Sequence, residues 1–268
     1  MRSFEVIATE QRVVLDDGKE TILQSWGTHG PVVLCVHGIT SSRRSWTRLA
    51  EYLAPANRIY AYDQRGHGDS ADVAGPMTLA QSVRDLQAVR ARLPGPVHML
   101  IGHSWGGAVA LLGGIAIHPA RVVAIDPMIR VPARTFEPEY VDDLREFFAL
   151  APGEREPAIR AMYHGLAAVD VDAKRHAMTH MSVASLEALG TENDVDAGAW
   201  DLRERIARYP TPLLVCVAGI ESVLSAEDQQ FVTERGGPNV TMRVFPNDGH
   251  NLHRTAFDEF AHAVETFG

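Results

Sequence analysis

Two cysteines in 268 residues are too few for a disulfide framework. Cys35 and Cys216 each sit inside an apolar run, Pro31-Val-Val-Leu-Cys-Val36 and Pro212-Leu-Leu-Val-Cys-Val-Ala218, where a small buried hydrophobe is the expected role. Long apolar runs are also missing. The longest nearly uncharged one, Trp105 to Ile117, falls short of the ~20 residues that cross a bilayer. The N-terminus reaches Glu5 too soon for a signal peptide. No long basic run exists to track a phosphate backbone, and the net charge is −9, from 25 basic and 34 acidic residues. Internal repeats and low-complexity segments are absent. These gaps exclude nucleic-acid binding, a membrane span and a disulfide-stapled secreted fold. A soluble cytoplasmic protein acting on a small molecule is the expectation, its acidity serving solubility.

What is present is an ordinary globular balance, 46% hydrophobic and 22% charged, on a chain long enough for one sizeable core carrying an insertion. Phe4 to Leu15 and Glu20 to Trp26 read as strands joined by the Asp16-Asp17-Gly18 turn, an antiparallel hairpin at a sheet edge. Pro31–Val36, Arg58–Tyr62, Val97–Ile101 and Val122–Ile125 are different. Continuously apolar and rich in β-branched residues, they read as strands buried on both faces. Helical patterns lie between them, at Ser45–Leu53, Thr78–Leu93 and Trp105–His118, so a parallel sheet covered on both faces follows. The alternation stops after Pro127. Helical segments such as Glu139–Leu150 and Glu156–Ala167 replace it until strands resume at Pro212–Ala218 and Val240–Phe245. The predicted division is a core of residues 1–127 and 210–268, closed by a helix at Ala256–Phe267, with a helical cap at 128–209.

The chemistry is carried by Gly102-His-Ser-Trp-Gly-Gly107, which follows a buried strand and opens an apolar helix. A sharp turn in that setting holds a serine hydroxyl exposed at the sheet's C-terminal edge. The glycines two before and two after Ser104 let strand and helix approach closely. A serine hydroxyl becomes a useful nucleophile only when a base takes its proton. Among 12 histidines, His250 in Asn247-Asp-Gly-His-Asn251 is the one expected in a polar turn after the last strand, at that same edge. His253 reads as the start of the final helix, and His103 as pointing to the other side of the turn.

His37-Gly38, Asp63-Gln-Arg-Gly-His-Gly-Asp-Ser70, Gly102-His-Ser-Trp-Gly-Gly107 and Gly249-His250, in that order, resemble the α/β-hydrolase superfamily over nearly the whole chain except the insertion. The resemblance implies the α/β-hydrolase fold: a mostly parallel eight-stranded sheet with an inserted helical cap. It implies a catalytic Ser104, His250 and acid in the family's order, and an oxyanion hole from the backbone N–H groups of Ile39 and Trp105. The acid usually follows the strand assigned here to Leu213–Ala218. That loop reads Gly219-Ile-Glu-Ser-Val-Leu-Ser225, so Glu221 takes first place, with Asp126 at the end of the preceding core strand as the alternative and Asp248 a distant third. Arg65-Gly66-His67-Gly68 reads as packing and loop geometry.

No cofactor and no metal are expected. His176 and His180, four apart on one helical face with His164 nearby, lack the Glu of a His-Glu-x-x-His zinc motif. The implied activity is a carboxylesterase-like serine hydrolase acting on a small, fairly apolar ester. C–C bond hydrolase, lactonase or aminopeptidase action would use the same groups. The Asp63-Gln-Arg-Gly and Ser104-Trp105 pairing is similar to proline iminopeptidases, which typically lack a histidine at position 103. Epoxide hydrolases and haloalkane dehalogenases are disfavoured, because they need a carboxylate where Ser104 stands. A small-molecule receptor of the same fold, with little or no turnover, is the alternative from another class.

Overall fold

The computed structural model describes residues 8–130, 138–163, 165–193 and 200–267. In chain order its elements are β1 (Thr9–Val14), β2 (Glu20–Trp26), β3 (Val32–Val36), α1 (Thr47–Leu53), β4 (Arg58–Tyr62), α2 (Leu79–Arg90), β5 (Val97–His103), α3 (Trp105–Ile117) and β6 (Arg121–Ile125). Then come α4 (Pro138–Ala149), α5 (Pro152–Met162), α6 (Ala168–Thr179), α7 (Val183–Glu192) and α8 (Arg203–Ala207). The chain closes with β7 (Leu213–Ala218), α9 (Ala226–Arg235), β8 (Val240–Phe245), α10 (Leu252–Thr255) and α11 (Phe257–Thr266).

One eight-stranded sheet has the order β1-β2-β4-β3-β5-β6-β7-β8. The hairpin β1–β2 forms the antiparallel edge, and β2 also pairs antiparallel with β4. Every other pairing is parallel. Parallel strands need crossovers, so helices cover both faces and the strands are apolar on both sides. Alternation along each strand then divides the core in two. Leu34, Leu100, Val122 and Val215 face α2 and α3. Cys35, Ile101, Val123 and Cys216 face α1 and α11. Both cysteines are free and buried, on the same side of the sheet.

The predicted core strands and the helices at α1 to α3 match within a few residues. The reading of Glu156–Ala167 as one helix does not. Pro152 starts α5 four residues earlier than that reading, and the chain leaves the helix at Tyr163, with Gly165 at φ +88°, before α6 begins. Proline is pre-organised for the first helical position, so it marks a start where periodicity alone shows none. Between β6 and β7 the described residues hold helices and a single isolated bridge, Arg130 to Asp201.

The motif Asp63–Ser70 ties this core together. Arg65 donates from Nε and Nη2 to the two oxygens of Asp85 on α2, at 3.0 and 2.9 Å. Its Nη1 reaches Asp17 in the β1–β2 turn at 2.8 Å and the Ala74 carbonyl at 2.9 Å. Such a two-pronged buried pair is geometrically specific. Removing one partner strands the other charge, so Asp85→Ala should lower unfolding stability by about 3 kcal/mol in urea denaturation, with Asp17 moderating the loss.

Candidate active site

All the parallel strands point their C-terminal ends to one edge, and the loops leaving those ends carry the chemistry-bearing residues. Ser104 sits between β5 and α3 at φ 56°, ψ −118°, a conformation L-residues rarely adopt. The turn is over-determined. A side chain at Gly102 would run into the Gly106 carbonyl, and one at Gly106 into the carbonyls of Val36 and His37. Backbone bonds fasten the serine on both sides: Ser104 N–H to the Ile125 carbonyl at 2.9 Å, and Met128 N–H to the Ser104 carbonyl at 3.2 Å. Ser104 is therefore pinned beside the end of β6, one residue from Asp126.

Asp126 is fully buried and itself at φ 39°. Its carboxylate accepts four hydrogen bonds. Oδ1 takes Ala218 N–H at 3.1 Å and the Ser222 hydroxyl at 2.6 Å; Oδ2 takes Val223 N–H at 3.1 Å and His250 Nδ1 at 2.6 Å. Burial pushes this carboxyl up, but the His250 hydrogen bond and charge, with Ser222 and Val223, bring it below the ordinary aspartate value. With Nδ1–H given to a carboxylate, the Nε2 of His250 is left as the acceptor nitrogen.

Glu221, the first-choice acid, is not the partner of His250. It is exposed, at φ 51°. Its turn instead directs the next two residues, Ser222 and Val223, onto Asp126. The loop expected to supply the acid thus supplies two of the four donors to an acid on the neighbouring strand. Asp248 enters through its backbone, its carbonyl accepting from Gly219 and Ile220 N–H at 3.1 and 3.2 Å.

Ile39 follows β3 and is half-buried, and Trp105 is the first residue of α3. Among the described residues neither N–H has a hydrogen-bond partner. Gly38 holds this loop against the serine, since a Cβ there would lie 3.0 Å from the Ser104 Cβ. The loop is shaped from behind by His37, whose Nδ1 donates to the Gly38 carbonyl at 2.8 Å and whose Nε2 accepts from Gln64 N–H at 2.9 Å.

Two further residues bear on the site. His103 does not simply turn away: its Nε2 meets the His250 carbonyl at 2.8 Å, and its ring lies 4.6 Å from that of His250. Trp200, from the chain between β6 and β7, places its ring 6.1 Å from that of Trp105. Neither contact has a sequence signal, because each joins residues far apart in the chain. His253 falls in α10, just before the final helix, and is buried.

His176 and His180 stack at 4.3 Å, and with Asp69 they form a group whose donor atoms lie within 4.8 Å of one another. Asp69 is already paired with Arg43 at 2.7 Å, while its other oxygen meets His176 at 3.0 Å. That arrangement suits an ion-pair network better than a cation site. His164 lies outside the described residues.

A family model described as the alpha/beta hydrolase family matches residues 33–263. The chain is 38% identical to lipase LipV of Mycobacterium tuberculosis over 133 residues, 45% of this chain and 50% of that protein, so the match spans half of that relative's length. It is 26% identical to mouse protein phosphatase methylesterase 1 over 94% of this chain and 79% of that one. The structure of an N-formylmaleamic acid deformylase from Pseudomonas putida superposes with a TM-score of 0.77 at 20% identity, covering 96% of this chain and all of that one. At that identity the likeness is one of fold. No helix among the described residues is long and apolar enough to cross a membrane.

The buried histidines generate a pH prediction. Burial, before any other cause, lowers His37 to about 4 and His67 to about 3, from an ordinary value of 6.5. Both are neutral in the fold, while in the unfolded chain they take up a proton below about pH 6.5. Unfolding then binds protons, so their contribution is complete above pH 6.5 and is lost as pH falls toward 4, at about 1.4 kcal/mol per pH unit for each histidine. Urea midpoints at constant ionic strength should fall from pH 7 to pH 5, and His67→Gln should flatten that slope. A slope unchanged by the substitution would remove His67 from the account.

Proposed function

The chain belongs to the alpha/beta hydrolase family, and from that premise we propose that it is a serine hydrolase of carboxylesterase type, cleaving small, fairly apolar esters through an acyl-enzyme on Ser104. The observation that carries this reading is the 2.6 Å bond from His250 Nδ1 to Asp126, formed beside a serine held at φ 56°. His250 Nε2 takes the hydroxyl proton as Ser104 Oγ attacks the ester carbonyl. Asp126 keeps the imidazole in the required tautomer and stabilises the imidazolium that forms. The free N–H groups of Ile39 and Trp105 receive the oxyanion. His250 then protonates the departing alcohol. A water, deprotonated by the same nitrogen, attacks the acyl carbonyl, and the acid leaves while Ser104 regains its proton.

In this reading the catalytic acid is Asp126 rather than Glu221. The four donors around its carboxylate support that choice, since they favour the charged form that the mechanism needs. The segment 128–209 serves as the lid; Trp200 from it lies against Trp105, the residue next to the nucleophile. The relatives' names (a lipase, a methylesterase and a deformylase) point toward acyl groups as substrates. Two free, buried thiols suit a reducing cytoplasm.

Hydrolysis of p-nitrophenyl butyrate and labelling by a fluorophosphonate test the reading together. Both should vanish in Ser104→Ala. Asp126→Asn should lower kcat by about 10^4-fold, because an amide supports the wrong tautomer of His250. Glu221→Gln should leave kcat near wild type. A wild-type protein that neither hydrolyses the ester nor takes the label would make the chain a receptor of the same fold.

A further inference from the structure

Beside the loop that carries Ile39, two basic side chains are buried, and burial together with the neighbouring Arg254 holds Lys174 well below the ordinary lysine value. Lys174, on α6, is 5% exposed, and its Nζ donates to the carbonyl and to the hydroxyl of Thr40, each at 2.9 Å. Arg254, on α10, is 3% exposed, and its Nη2 reaches the Ser41 hydroxyl at 3.2 Å. They hold consecutive residues of one loop, and those residues directly follow Ile39.

Their donors are not used up. When protonated, as an arriving anion would favour, the Lys174 amine has three N–H groups, of which Thr40 takes two. Nε and Nη1 of Arg254 are buried with no partner at all. One carboxylate is shared among the basic groups. Asp170, also buried, is the acidic group whose charge acts on Arg254, and Arg48 claims it too, at 3.5 Å. Neither Lys174 nor Arg254 has a carboxylate within ion-pair distance among the described residues. His253 next to them is buried with both ring nitrogens unpartnered, and burial holds it neutral. Buried donors are ordinarily satisfied, and a buried basic cluster sharing one carboxylate is costly to keep. A cluster kept in this state beside an active-site loop implies an anion that arrives from outside.

We propose that Lys174 and Arg254 form a carboxylate-binding subsite, and that the preferred substrates are half-esters of short dicarboxylic acids. This rests on the esterase reading above and narrows its substrate class. Successive Cα atoms are about 3.8 Å apart, so Thr40 and Ser41 lie one and two residues' length from the Ile39 N–H that would hold the carbonyl oxygen. A carboxylate two or three carbons from the scissile carbonyl spans that distance. A guanidinium and an ammonium together suit it, the first by a fork and the second by a point charge. The subsite joins the insertion (Lys174) to the core (Arg254), so an anionic acyl group is read by both.

The test compares p-nitrophenyl butyrate with mono-p-nitrophenyl succinate. The wild-type protein should favour the succinate half-ester in kcat/KM. Lys174→Met and Arg254→Met, each checked for folding by circular dichroism and thermal melting, should reduce the half-ester to butyrate ratio by roughly 10- to 100-fold, the usual worth of a charge-assisted hydrogen bond, chiefly through KM. Taking the ratio removes any general effect of loosening Thr40 or Ser41. Calorimetric titration of free succinate into Ser104→Ala supplies a second readout that needs no turnover. Binding that is lost when Lys174→Met or Arg254→Met is added sustains the subsite, even if neither ester is hydrolysed, in which case only the esterase reading falls. No preference for the half-ester, together with no succinate binding or binding indifferent to both substitutions, overturns the subsite while leaving the esterase reading standing. Should Arg254→Met fail to fold, Arg254→Lys keeps the charge and removes the fork, and the same drop in ratio is expected.

Discussion

The candidate active site depends on one buried carboxylate. Asp126 lies at 0% exposure, where an unpaired charge would be prohibitive, and it is accommodated because four donors surround it. Those donors come from the end of β7, from the loop after it and from the loop after β8. The carboxylate is therefore a meeting point: it draws three segments together at one edge of the sheet and sets the angle at which His250 presents its second nitrogen. His103 completes the arrangement by holding the His250 carbonyl, so the histidine is fixed at both its ring and its backbone.

Strain is concentrated at the same place. Of the five non-glycine residues at positive φ among those described, Thr40, Ser104, Asp126 and Glu221 all belong to loops that build the site. Each such residue costs on the order of 1–3 kcal/mol and persists only where surrounding contacts fix it. Here the contacts are visible. Glycine-lined approaches fix Ser104, ladder bonds and side-chain donors fix Asp126, and the Lys174 amine on α6 holds Thr40.

The sheet and the serine turn were legible from the chain alone because each leaves a local signature. A strand buried on both faces must be apolar throughout, and a strand-to-helix elbow must have glycine where backbones touch. His250 was legible through its place after the last strand. The acid was not. Glu221 and Asp126 are both carboxylates at the end of a core strand, and family habit favoured the loop after β7. What separates them is the number of donors each meets, and those donors are gathered only when β6, β7 and β8 lie side by side. Lys174 and Arg254 were invisible for the same reason, reaching Thr40 and Ser41 across 134 and 213 residues of chain. Arg65, by contrast, was expected to serve packing, and its bonds to Asp85, Asp17 and Ala74 accord with that role.

The insertion leaves β6 at a fixed point. Its first residues do not swing free: Pro127 packs on Gly107 at the start of α3, and Met128 is bonded to the carbonyl of Ser104. The helical segment is thus rooted on the serine turn itself, one step beyond Asp126. A root clamped this way acts as a mechanical break. Sequence drift in the helices beyond it can be absorbed without moving the backbone that carries Ser104 or Asp126. For the lid proposed above, this means that the helices selecting a substrate can change while the serine turn stays as it was.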